Sequence, residues 1–585
     1  MEKSEIEAAQ ERKKMDLMTF KKRIDMASGK EPVDLVIENV NVVNVFSHEL
    51  IYGSVGIADG VFVGMGDYRG KTHIDAGGKV MAPGLIDSHV HIESSFGTPY
   101  QFARAVLPHG TTTIISDCHE IANVCGIAGI EFMLESSKGL PLTVYMMLPS
   151  CVPASGFETS GAILNAEDLS PLLDHPRVLG LGEMMNYPGV INGQKDIIEK
   201  LQMAEKTIVD GHGPGQTEKG LNAYIISGVK TDHECANFAE MQERIQNGMY
   251  IAIREGSAAK NLVSLMSGVN DLTERRCTFC TDDRHPEDIV TEGHIDNNIR
   301  VAIQHGMDPI TAIRLATLNT AECYNIRGLG AIAPGYAADF ILVDDLKSFN
   351  VLETYKRGEK VDRDWTVTME NKEAVYSRVK GKVNIGDIKA DDLKIKITEG
   401  KAKVIKLKPH DLYTQHVVHD VKTKDGKFVM DHSQDIMPIY VLERHHGTGN
   451  IGKGLIEGFG LKNGAVASTV AHDSHNLVVI GDSERDVLLA INEIKRIGGG
   501  LALVHDGKVL DSMALDIAGI MSSENLEVIA KKQDEMTKSA YDTLHISHDY
   551  SPFMTLAFMA LTVIPELKIT DKGLFDVKKF ELTEV

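Results

Sequence analysis

Cysteine is scarce, at seven in 585 residues, and none falls beyond Cys323. So few, so unevenly placed, do not make the disulfide framework of a secreted domain, and reduced thiols are expected. Apolar runs are short as well: no stretch reaches the roughly 18 uninterrupted apolar residues of a membrane-crossing helix. The opening residues, MEKSEIEAAQERKK, are charged throughout and offer no apolar centre for a secretory signal, so the expected compartment is the cytoplasm. Positive charge is in deficit, with 61 Lys and Arg against 83 Asp and Glu and a net charge of −22. Nucleic acids and anionic membranes are bound through accumulated Lys and Arg, so neither is an expected partner. A small neutral or cationic ligand stays open.

At 43% hydrophobic and 25% charged residues, the chain has material for two or three globular domains. Residues 1–33 alternate charged and apolar positions and predict a helical segment used in packing or subunit contact. From Asp34, DLVIENVNVV and SVGIADGVFVGMG are β-branched runs, the second centred on Asp59-Gly60, a tight-hairpin pair. Between 83 and 330, short apolar segments alternate with longer amphipathic ones. The candidate strands are LIDSH (85–89), TTIISD (112–117), TVYMML (143–148), VLGLGE (178–183), TIVDGH (207–212), GVKTD (228–232), YIAI (250–253) and CTFCTD (277–282). A strand, loop and helix per unit, repeated eight times, predicts an α/β fold built as a (β/α)8 barrel, whose chemistry sits at the C-terminal strand ends. An open doubly wound sheet is the alternative, because periodicity does not show closure. After Gly330, AIAPGYAADFILVD returns to turn and strand, so residues 34–82 and 331–400 are expected to form one split, small β-sandwich domain. Residues 405–585, with GAVASTVA, LVVIGD, GLALVHDG and the amphipathic ERDVLLAINEIKRI, predict an additional C-terminal α+β domain.

PGLIDSHVHIESS places His89 and His91 two apart at the end of the first barrel strand. On a strand that spacing projects both imidazoles to one face, here the barrel mouth. Glu183 ends strand four, His212 ends strand five, His233 follows strand six and Asp282 ends strand eight. Nitrogen and oxygen donors converging on one mouth suit one or two divalent cations of the Zn, Mn or Fe kind. Such cations lower the pKa of bound water from near 16 to around 7, which makes the chemistry hydrolysis. Asp282 is placed to take the proton of that water and later deliver it to a leaving amine.

These residues resemble the amidohydrolase superfamily, through PGLIDSHVH, the donors at the strand ends and the returning GAIAPGYAADFILV. Within it the chain is more closely similar to the adenine deaminases. That narrower resemblance rests on HIESS, SDCHEIANV, PSCVPAS, VDGHGPG, TDHE, REGSAAKNL, FCTDDRHP, ERHHGTGNIGKG, AHDSHN and PFMTLAFMALTVIPELKIT, and spans about residues 34 to 580. It implies hydrolysis of adenine to hypoxanthine and ammonia at purine C6, a pair of metals with Mn foremost and Fe or Zn as alternates, a homo-oligomer, and Glu183 as a bridge where many members carry a carboxylated lysine. Zinc deaminases of another fold attack the same carbon behind an H-x-E and P-C-x-x-C signature, which this chain lacks. Adenosine deaminases protonate the ring with an H-x-x-E element at strand five, and here that place reads His212-Gly213-Pro214-Gly215. The acid expected in its stead is Glu120, oriented by Asp117 or His119. By the same resemblance Asp282 is the ligand and proton shuttle, and Asp283 reaches the purine or caps its strand. Arg254, Glu255 and Ser257 at strand seven are substrate-side candidates.

Three motifs have blander readings. Cys277 and Cys280 should fall on opposite faces of a buried strand, since their offset is odd. Gly447 to Gly452 matches G-x-G-x-x-G, but Arg444-His445-His446 separates it from the preceding apolar run, so a loop or close backbone packing is expected. His472, Asp473 and His475 have the spacing of a second metal site and are read as structure or as a lid over the barrel mouth. The donor set alone also fits a hydrolase of a cyclic amide or an N-acetyl group. A non-catalytic purine- or metal-binding protein is the rival of another class, against which the added proton carriers count.

Overall fold

The computed structural model describes residues 17–585 other than 363, 368, 370, 371, 398, 399 and 410. Of the helical segment expected over 1–33, residues 1–16 lie outside the described residues and Leu17–Ala27 is helix.

Eight strands make the central sheet: β1 (Leu85–Val90), β2 (Thr111–Asp117), β3 (Thr143–Leu148), β4 (Val178–Met184), β5 (Ile208–Gly211), β6 (Thr231–Asp232), β7 (Tyr250–Arg254) and β8 (Cys277–Cys280). β1 to β5 pair in chain order, β6 to β8 pair in chain order, and every pair is parallel. Two bridges join the arcs, Val209 with Val229 ahead of β6 and Val90 with Asp282 beyond β8. Lys230 N donates to Val209 O and Asp282 N to His89 O, each at 2.9 Å. The sheet is therefore closed, and the open alternative falls. β1, β2 and β8 are buried along their whole length, as strands between a filled interior and covering helices must be. Cys277 and Cys280 are among these buried strand residues, and all seven cysteines are free.

The segments before and after the barrel share one sheet. Its order is Glu359–Lys360, Val351–Lys356, Phe340–Val343, Val80–Pro83, Val33–Asn44, Glu49–Ala58 and Val61–Met65, with Gly70–Asp75 beside Val33–Asn44. The sheet curls until its far strand returns: Phe62 N donates to Tyr336 O at 2.9 Å, and the Phe62 and Phe340 rings lie 6.0 Å apart. One core fills the enclosed side.

A third eight-stranded sheet follows, in the order Gln415–Asp420, Lys401–Lys406, Ile451–Glu457, Ile436–Leu442, Leu477–Gly481, Gly464–Ser468, Gly500–His505 and Lys508–Ala514. Helix Glu484–Ile497 covers one face. Its Ser483 cap accepts from Asp486 N, its first turn is acidic and its last basic, and Gly498 closes it at φ 80°. The other face, with Val466, Val478 and Ile480, joins Val90, Phe96 and Phe102 of the barrel in one contiguous apolar cluster. In the glycine run at 447–452 the close packing is at Gly452, where a Cβ would lie 1.7 Å from Thr570 O, while Gly449 has open space around it. No helix among the described residues is long and apolar enough to cross a membrane.

Candidate active site

Glu183, near the end of β4, is the hub. His91 Nε2 lies 3.2 Å and His89 Nε2 3.6 Å from its Oε1; on its Oε2, His212 Nδ1 lies at 2.8 Å and His233 Nε2 at 3.3 Å. His89 and His91 thus share one carboxylate oxygen and His212 and His233 the other, with His119 Nδ1 also 3.6 Å from Oε1. Asp282 joins the first pair, with Oδ1 3.0 Å from His91 Nε2 and 3.5 Å from His89 Nε2. Its Oδ2 accepts from the Arg254 guanidinium at 2.5 Å. All six donors meet in one place.

The backbone explains how they arrive. Asp117, at the end of β2, accepts from Glu183 N at 2.8 Å and from His119 N at 3.1 Å, tying β2 to β4. Asp87 accepts from His89 N and from the amide and hydroxyl of Thr281, tying β1 to the residues after β8; burial pushes its carboxyl up to about 7. Tyr224 donates its hydroxyl to Met184 O at 2.6 Å and receives His212 N at 2.9 Å, which turns His212 off the ladder. Asp282 has a left-handed backbone, φ 59°, and Asp283 then turns the other way to accept from Ser94 Oγ.

The donors fit a divalent cation. His89 Nε2 is buried and without a hydrogen-bond partner, although it points at two carboxylates. An sp² nitrogen in that position is completed by a cation. Electrostatics agree. Burial would push Glu183 and Asp282 up, and the surrounding imidazoles, with Arg254 beside Asp282, instead hold both well below the carboxylate range. Burial would likewise lower His89 and His91, and Asp282 and Glu183 raise both, His89 to about 10. Anionic oxygens so strong in their pull on protons will pull on a metal in their place.

The remaining candidates divide. Arg254 and Asp283 line the cavity in front of the donors, together with His119 and Glu120. Asp117 is a positioning group whose oxygens are taken by backbone amides. Glu255 and Ser257 do not line the cavity: Glu255 faces Lys260 at 3.7 Å, and the Ser257 hydroxyl donates to Asp288 and accepts from His285 N. Glu234, which sequence reasoning gave no role, accepts from Arg254 at 2.5 Å and stands 3.8 Å from His212 Nδ1 and 3.7 Å from His233 Nε2. Its one sequence signal is its place beside His233.

The cavity measures about 730 Å³ and is walled by two domains. The barrel supplies the donors. The C-terminal domain supplies His472, Asp473 and an apolar wall of Phe558, Leu561 and Val563. His472 and His475 both bond to Glu120, and Asp473 Oδ1 lies 3.8 Å from His119 Nε2. An apolar wall together with a few polar groups suits an aromatic heterocycle.

Comparison with known proteins agrees with this architecture. The amidohydrolase family profile matches residues 80–361, and the adenine deaminase C-terminal domain profile matches residues 411–581. An adenine deaminase of Clostridium acetobutylicum is 50% identical over 566 residues, covering 96% of this chain and 99% of the relative. One from Nitratidesulfovibrio vulgaris is 48% identical, covering 96% and 98%. Adenine deaminase 2 of Carboxydothermus hydrogenoformans is 46% identical, covering 97% and 99%. With relatives this similar over nearly their whole lengths and a donor set built for a divalent cation, the chain belongs to the adenine deaminase family of the amidohydrolases.

Proposed function

We propose that this chain hydrolyses adenine to hypoxanthine and ammonia, water adding at purine C6. The observation that carries the hydrolytic reading is Glu183, with His89 and His91 on one carboxylate oxygen and His212 and His233 on the other. His89, His91 and Asp282 would hold one divalent ion, His212 and His233 a second, and Glu183 both. Manganese is the first choice on the family resemblance, with iron or zinc as alternates. Bound there, the ions lower the pKa of water and supply the nucleophile at neutral pH.

The chain's own groups do the rest. Asp282 receives the proton of the attacking water and passes it to the departing amine, and Arg254 holds that carboxylate in place through Oδ2. Asp283, on the cavity wall, accepts from a purine N–H. The Phe558 side of the cavity packs on the base and keeps bulk water away. Assembly as a dimer or larger belongs to the same reading, on the family resemblance; so does residence in the cytoplasm, supported by seven free cysteines.

The test is adenine added to the Mn-reconstituted protein, following hypoxanthine by absorbance and ammonia by a coupled assay, with His89→Ala beside it. Both products should appear with metal and be lost in the variant. No turnover with metal confirmed in the protein would reject adenine and point to cyclic amides or N-acetyl compounds.

A further inference from the structure

Glu120 is the ring-protonating acid expected from the sequence, yet both of its oxygens are taken by the C-terminal domain. His472 Nδ1 bonds to Oε1 and His475 Nε2 to Oε2, and all three residues are buried. Tautomers follow from the bonds. Ala471 N donates to His475 Nδ1 at 3.1 Å, so the proton of this ring sits on Nε2 and is donated to Glu120. Burial lowers the pKa of His475, which keeps it neutral. His472 gives its Nδ1 proton to the same carboxylate. Its Nε2 is left for a ligand, on a ring that lines the cavity. That ring is held in place: it stacks on Phe558, itself on the cavity wall, with centroids 4.8 Å apart, and His472 N donates to Ala557 O at 2.9 Å. A carboxylate behind one imidazole nitrogen and a substrate cavity before the other is the arrangement that acid-base histidines use, because the carboxylate sets the tautomer and stabilises the imidazolium.

We propose that His472, from the C-terminal domain, is the general acid that protonates the purine ring, and that Glu120 is its positioning residue. The proposal rests on the adenine reading above. As the oxygen of water bonds to C6, the π pair of the C6–N1 bond moves to N1, which takes the proton from His472 Nε2. The C6–N6 bond then breaks, and ammonia leaves with the proton that Asp282 took from water. The hydroxyl proton is released as the C6 carbonyl forms, and His472 regains a proton from solvent. Adenine and water thus give ammonia and hypoxanthine protonated at N1.

The charged surroundings of the ring favour its role. Glu120 is in contact, and Asp283, Asp473, His475 and His285 act at longer range. Burial pushes the imidazole down, and Glu120, Asp283 and Asp473 together outweigh it and lift it to about 9, so the acid form is present at neutral pH.

The test uses the Mn-loaded full chain, with H472N and E120Q, measuring kcat, KM and metal content across pH. Asparagine keeps an N–H at the place of Nδ1 for Glu120 and removes the titrating nitrogen. H472N should lower kcat about 100-fold or more with KM changed less than about threefold, and lose the alkaline fall of kcat/KM. E120Q removes the anion that stabilises the imidazolium, so its alkaline limb should move to lower pH. Wild-type kcat in H472N, or an unmoved limb in E120Q, overturns the proposal; should H472N fail to fold or to load metal, the limb in E120Q decides. A wild-type protein that releases no hypoxanthine overturns the reading of the substrate, and the ring protonation with it. Turnover by wild type and by H472N alike overturns the protonation alone.

Discussion

A glycine decides where Glu183 sits. A Cβ on Gly182 would lie 2.0 Å from Asp117 Oδ2, the oxygen that accepts from Glu183 N. Gly182→Ala should push Asp117 off that amide and misplace the carboxylate between the imidazole pairs. Such supports of metal ligands are worth about 10- to 100-fold in affinity or activity, and a loss of that order in metal content and kcat is expected. Full metal in the purified variant would show that Asp117 can yield. At this scale the sequence spoke unevenly. His89 and His91 were legible because a spacing of two fixes one face of a strand. Asp117 or His119 is expected to orient Glu120, and the bonds Asp117 makes, to the backbone amides of His119 and of Glu183 on another strand, leave no mark in spacing. Glu255 and Ser257 went astray for a readable reason. Successive strand residues point to opposite faces, so Arg254 facing the cavity sends Glu255 away. The bridge of Glu255 with Lys260 then starts a turn in which alternation no longer holds.

Among the elements, the barrel strands are legible to within a few residues: the widest miss is the start of β6, expected at Gly228 and found at Thr231, and the C-terminal ends miss most often. TIVDGH predicted strand through His212, while β5 stops at Gly211 because His212 N leaves the ladder for Tyr224. CTFCTD predicted strand through Asp282, while β8 stops at Cys280 because Asp87 takes Thr281. The ends fray where the donors must swing into the mouth. A different constraint sits on the strand Leu567–Thr570. Lys568 is wholly buried, its ammonium donates to Leu412 O and Phe558 O at 3.0 Å each, and burial pulls its pKa from 10.5 to about 7. The sign of the linkage is set by which state binds more protons. Below about pH 7 both states are protonated and burial of the charge costs most. Between 7 and 10.5 the unfolded chain keeps the proton that the folded chain has released, so stability gains as pH rises through that window. Lys568→Met removes this dependence. The difference in Tm between variant and wild type should therefore shift in favour of wild type from neutral to alkaline pH, and a constant difference would show Lys568 charged in the fold throughout.

On the scale of the whole molecule, the active site is shared. The motif AHDSHN could be read as a lid or as structure, but its partner Glu120 stands 352 residues away in sequence, and no local pattern reports such a bond. More joins follow the same course. The loop after β3 is gripped by the C-terminal domain: Asp571 accepts from Thr159 N at 2.9 Å, Thr570 Oγ1 donates to Phe157 O at 2.7 Å, and Phe157 packs on Phe575 with centroids 5.0 Å apart. One apolar cluster runs unbroken from Val90 and Phe102 to Val478 and Leu526. A chain ended at residue 404 therefore loses the cover of its apolar face and both imidazoles on Glu120. The first loss predicts aggregation, as exposed apolar patches of that kind drive association. The second predicts that any soluble fraction, loaded with Mn, deaminates adenine at least about 100-fold more slowly than the full chain, the general acid being gone. Light scattering and product release on the same sample check the two separately. A soluble chain with full turnover would place every catalytic group on the barrel and leave the C-terminal domain a cover alone.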